Sequence, residues 1–275
     1  MQKSSVRMIV SGVAVAVVAA AVPLLANHSW NGYHWARTSN PFTLKLGDNL
    51  TTANWKGHLS QTSQDWNAGR TPVQTSIVPG QSTKRCRMVA GTTQVCNGSY
   101  GFNGWLGLAT INITPDSHIT QGSAKMNDSY FSTSTYNTPS EREHVMCQEV
   151  AHTFGLGHQD ESGASLNTCM DYFSNTGAYG TSPISTKPNQ HDFDELNLIY
   201  SHLDSTTTVA SASASAGVDV TDDPNSWGQL VSQSHNGRSS TYERANYDGS
   251  FTVTHVFWTA EAAEKCAGCD HRFER

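Results

Sequence analysis

A chain of 275 residues with a formal net charge of -6, 15% charged and 9% aromatic residues has an ordinary globular composition, long enough for one well-packed domain. The mildly acidic balance argues against nucleic acid or an anionic membrane as partner. Lys3 and Arg7 precede an apolar run from Met8 to about Ala26, which reads as a signal peptide over residues 1–26. Broken by Pro23, that run is short for a membrane span, and no later segment is long and apolar enough to cross a bilayer. The mature chain is therefore expected to be secreted, soluble and monomeric, with its even set of six cysteines oxidised.

Beyond residue 26, Trp30, Tyr33 and Trp35 suit packing across a domain. Phe42–Leu46 alternates as a strand, and Trp55, Leu59 and Trp66 mark one face of a helix. A strand near Val73–Val78 follows. Cys86 and Cys96 flank a segment centred on Gly91 with alternating apolar residues, which predicts a hairpin closed by a disulfide. Strands are expected over Leu106–Ile113 and from His118 to Phe131. Ser205–Gly217 is a Ser/Thr/Ala stretch that reads as a flexible linker. The remaining region, 218–275, is expected to be small and β-rich, with two strands within Ser240–Trp258 around an Asp248-Gly249 turn and a terminal Cys266–Cys269 bridge.

The informative stretch is His144-Val-Met-Cys-Gln-Glu-Val-Ala-His-Thr-Phe-Gly-Leu-Gly-His158. The long zinc signature H-E-x-x-H-x-x-G-x-x-H is matched at Glu149, His152, Gly155 and His158, with Gln148 where the first histidine belongs. Positions 148 and 152 are four apart, so on a helix they share a face and can reach one ion. Gly155 can take a left-handed conformation, ending the helix and returning His158 to the same ion. Glu149 would touch a metal-bound water rather than the metal. A glutamine carbonyl is a poorer zinc ligand than imidazole, so weaker metal binding is expected. His144 cannot substitute, being about 12 Å from His152 along the axis at 1.5 Å per residue. Cys147 points to another side, whereas Asp160 and Tyr172 are candidate helpers.

These residues resemble the metzincin clan of zinc endopeptidases, which includes matrixins, astacins and serralysins. Asn167-Thr-Cys-Met-Asp-Tyr172 resembles the clan's Met-turn, with Met170 beneath the metal and Tyr172 as oxyanion donor or further ligand. The resemblance covers roughly residues 40–204, and residues 27–204 are taken as the catalytic domain. It implies an α+β fold: a twisted mixed sheet, a zinc-site helix, the Met-turn and a C-terminal helix over Pro188–Tyr200. Residues 104–113 would be the edge strand that pairs with an extended peptide or protein substrate. A Cys147–Cys169 bridge would join the zinc helix to the Met-turn. The cofactor implied is one catalytic zinc on Gln148, His152 and His158, with Glu149 as general base and acid; structural calcium is a further expectation. The rival reading is a fold relative that binds peptides without turnover. His118, His191, His202 and His255 are isolated in sequence and read as surface or hydrogen-bonded structural residues.

Overall fold

A computed structural model describes residues 28–81, 85–211, 222–266 and 268–273; the signal-peptide segment 1–26 lies outside them. One nine-stranded sheet organises the molecule. Its strands are β1 (His34–Trp35), β2 (Phe42–Asn49), β3 (Val73–Pro79), β4 (Thr92–Gly98), β5 (Trp105–Ile113), β6 (His118–Asn127), β7 (Gln229–Gln233), β8 (Ser239–Ala245) and β9 (Phe251–Trp258). The order across the sheet is β3-β2-β4-β6-β5-β9-β8-β7, with β1 beside the start of β6. The β3, β2, β4 and β6 strands run parallel, and antiparallel pairing takes over from β5 onward.

Among the described residues, five α-helices accompany the sheet: α1 (Ala53–Ala68), α2 (Asp128–Phe131), α3 (Pro139–His152), α4 (Gln190–Ile199) and α5 (Ala260–Lys265). The hydroxyl of Thr52 caps α1, accepting from Trp55 N, and the helix buries Trp55, Leu59 and Trp66 as their spacing predicts. Thr138 caps α3 in the same way, with Pro139 in its first turn, where a missing N–H is harmless. The main core includes these tryptophans, Leu44, Leu46, Ile111 and the apolar side of α3. Each fully buried apolar side chain of this kind contributes ~1.5–3 kcal/mol.

Four expectations are corrected. Residues 86–91 form no strand, so Cys86–Cys96 is a disulfide between β4 and the loop before it, not across a hairpin. The strand beginning at His118 ends at Asn127, whose side chain accepts from Ser129 N and starts α2. Within the supposed linker, residues 205–211 are held: Thr208 N donates to Ala36 O and Ala210 N to Gly91 O; the rest of it lies outside the described residues. Most consequentially, β5 is no edge, because β9 pairs along it from Trp105↔Trp258 to Ile113↔Phe251.

The C-terminal strands thus continue the same sheet. They also bury its second face, where Trp105 and Leu108 pack with Trp227, Tyr242, Val256, Trp258 and Ala262. Among the described residues, no helix is long and apolar enough to cross a membrane.

Candidate metal centre

The α3 helix runs to His152 and the chain then turns at Gly155, whose φ of +93° is the left-handed conformation foreseen for it. A second constraint acts there: a Cβ on Gly155 would lie 1.9 Å from Tyr33 O, so the turn also needs glycine to let the N-terminal segment close in. Trp30 N donates to Gly155 O at 2.7 Å, tying that segment to the turn. The result brings His158 back onto His152, with their Nε2 atoms 3.0 Å apart.

A third imidazole joins them from β9. His255 forms with His152 and His158 a group whose ligand atoms all lie within 4.8 Å of one another. Its ring centroid is 4.0 Å from that of His152 and 4.7 Å from that of His158. His255 is hydrogen-bonded, as expected of it, but it is buried in the cluster rather than isolated. The signal was present in the strand: along β9, Val253, His255 and Phe257 share the face toward the main core, a face that otherwise selects apolar residues.

Each ring is oriented through its other nitrogen. His152 Nδ1 lies 2.7 Å from Leu156 O, His158 Nδ1 2.7 Å from Glu161 Oε1 and His255 Nδ1 3.2 Å from Glu149 Oε2. A carbonyl can only accept. Burial pushes the Glu161 carboxyl upward, but the hydrogen bond with His158 and its charge win, leaving it below the usual range and ionised. His152 therefore carries its proton on Nδ1 and turns its Nε2 lone pair toward His158 Nε2. Imidazole nitrogens facing each other at 3.0 Å, each ring backed through Nδ1, are arranged as in histidines that hold a metal. Burial, and then neighbouring imidazoles, lowers the pKa of both His152 and His255, favouring the neutral, ligating form.

Two oxygen-bearing groups complete the surroundings. Tyr172 Oη lies 2.7 Å from His255 Nε2 and 3.2 Å from His158 Nε2. Glu149 is fully buried, its Oε1 without a hydrogen-bond partner, and burial raises its pKa well above the usual carboxyl range. Space for that carboxylate comes from Gly107 of β5, where a Cβ would sit 2.5 Å from Glu149 Oε1.

Gln148 has another visible duty. Its Nε2 donates to the Met-turn carbonyls of Cys169 and Asp171, at 2.8 and 2.9 Å, while its Oε1 is buried and unpartnered. Met170 is buried in the core, and its carbonyl accepts from Gln159 N just past His158. Cys147 and Cys169 are bridged, joining α3 to the Met-turn, and Cys266 to Cys269. His144 is directed to Asn175 and Asp171. Asp160 is not a helper at the site: its carboxylate accepts from Ser162 N and Oγ in its own loop, and Glu161 supports His158 instead. His191 stacks on His28, outside the cluster. Among the described residues, both metal-competent clusters contain imidazoles, so the calcium expectation finds no oxygen-only site.

No family model matches the chain, and no curated protein does. Solved structures give distant likenesses. The chain is similar to myroilysin at 13% identity and a TM-score of 0.36, covering 63% of this chain and 98% of that one. A second myroilysin structure gives 12% and 0.34, covering 61% and 86%. High choriolytic enzyme 1, a hatching enzyme zinc-protease from Oryzias latipes (Medaka fish), gives 11% and 0.33, covering 61% and 94%. Likeness this distant leaves function to be argued from the chain's own residues.

Proposed function

We propose that this chain is a secreted zinc-dependent endopeptidase whose zinc is held by His152, His158 and His255. The observation that carries the reading is the convergence of three imidazoles, each backed through Nδ1 by a carbonyl or a carboxylate. Zinc there supplies an acidified water and polarises a peptide carbonyl. Glu149 is the proposed general base and acid. Its Oε2 orients His255, leaving the unpartnered Oε1 to hold the proton in transit. Tyr172 is the proposed oxyanion donor or further oxygen ligand. Gln148 remains as a weaker oxygen donor through its orphaned Oε1, while its amide nitrogen steadies the Met-turn. The three disulfides support export to an oxidising compartment.

The route for substrate differs from the one the sequence implies. With both sides of β5 hydrogen-bonded, a peptide cannot extend the sheet there while β9 is in place. The available approach is a cavity of ≈ 320 Å³ beside the histidines, lined by Trp30, Glu161, Ser232 and Thr241 among others.

That same pairing supports a second reading, a metal-binding module without turnover. The test is casein hydrolysis and zinc content on the full secreted chain, wild type and Glu149→Gln. The peptidase reading expects chelator-sensitive hydrolysis that falls on the order of 10²–10⁴-fold in the variant while zinc is retained. Zinc binding with no hydrolysis in either protein would select the module.

A further inference from the structure

The second histidine cluster lies away from α3, where β1, β6 and the segment after α4 meet. His34 and His118 are register partners across the parallel β1–β6 pair, with ring centroids 5.0 Å apart. His202 and Asp204 arrive from the segment after α4. His202 Nε2 is 3.2 Å from His34 Nε2. Asp204 Oδ1 is 3.5 Å from His34 Nε2, 3.3 Å from His118 Nε2 and 3.6 Å from His202 Nε2. His34, His118 and Asp204 thus form a group whose ligand atoms all lie within 4.8 Å of one another, with His202 at its edge beside His34.

We infer that this cluster is a second zinc site, with His34, His118 and Asp204 as its ligands. The spacing fits the chemistry. Tetrahedral zinc with bonds of about 2.0–2.2 Å places its donors roughly 3.3–3.6 Å apart. Hydrogen bonds between histidine and carboxylate would be shorter, about 2.7–3.2 Å. The donors are also oriented from behind. His34 Nδ1 lies 2.8 Å from Gly32 O, which can only accept, so its proton sits on Nδ1 and its Nε2 lone pair faces the cluster. Asp204 Oδ2 accepts from Arg37 N at 3.1 Å and from Arg37 Nη1 at 2.9 Å, leaving Oδ1 to the histidines. Arg37 and Asp204 also pair through the backbone, Asp204 N donating to Arg37 O.

The three donors come from β1, β6 and the segment after α4, so the ion's work is cross-linking. It fastens the segment carrying Trp30 and Tyr33, which closes over the Gly155 turn, to the sheet and to the chain end of α4. This inference stands apart from the peptidase reading, because the two sites share no ligand.

The test is metal content and unfolding temperature of the full secreted chain after equilibration with buffered zinc. Wild type is expected to hold two zinc ions per chain and His118→Ala one, with an unfolding temperature several degrees lower. His118 is partly exposed, so its truncation removes little packing. His255→Ala is expected to lose the other ion, and the double variant both. Cobalt(II) titration of the metal-stripped wild type should show two sets of visible bands, of which His118→Ala keeps one. The inference is overturned if His118→Ala and Asp204→Asn bind as much zinc as wild type, or if cobalt gives a single set of bands that His255→Ala abolishes. A failed peptidase site alone would instead leave one ion, which His118→Ala removes.

Discussion

The segment 138–172 and the C-terminal strands reach the same candidate metal centre by opposite means. In the first, a capped helix, a glycine turn and a disulfide bring Glu149, His152 and His158 together over a short span of chain. In the second, β9 delivers His255 across 106 residues from Glu149, and pairing with β5 on one side and β8 on the other fixes where it lands. Local delivery leaves a spacing signature in the sequence. Delivery by strand register leaves only a histidine on a core-facing position.

The comparison breaks most decisively at His255. His255→Ala is expected to weaken zinc at the helix site by roughly 3–4 kcal/mol, a few hundredfold or more, as a quarter share of a four-ligand zinc site. Competition with a chelating dye measures it, and unchanged affinity would mean that the helix, its turn and Gln148 suffice. Next in size is the local half. Cys147→Ser with Cys169→Ser opens a link spanning 22 residues, which costs about 3 kcal/mol by the chain-entropy relation. Urea unfolding reads that loss, and an unaltered midpoint would show that packing alone holds the Met-turn under α3. The smallest effect belongs to Gln148→Leu. Two Met-turn carbonyls lose a donor there, at about 1–3 kcal/mol of stability, with a smaller loss of zinc affinity than in His255→Ala. A larger loss would make Gln148 a principal ligand and sharpen the contrast in the other direction.

Much of the architecture was legible because it rests on local chemistry. Trp55, Leu59 and Trp66 spell out α1, and the run to His158 spells out α3 and its turn. Asp248 and Gly249 separate β8 from β9 where the turn residues predict. Partnership was not legible. The apolar run of β5 reads the same whether its outer side faces a substrate or β9. Strand β7, polar and largely exposed, has no alternation to announce it. His34, His118 and His202 are far apart in sequence and meet only through the β1–β6 register and the return of the chain after α4.

The position of His255 also sets a timetable. During synthesis His152 and His158 leave the ribosome well before the strand that carries the third imidazole, and a chain ending before Phe251 has neither that ligand nor the ladder that seats it. Capture of the proposed ion therefore waits for β9. An incomplete product, released early or clipped behind α4, carries the whole signature helix and still lacks the centre.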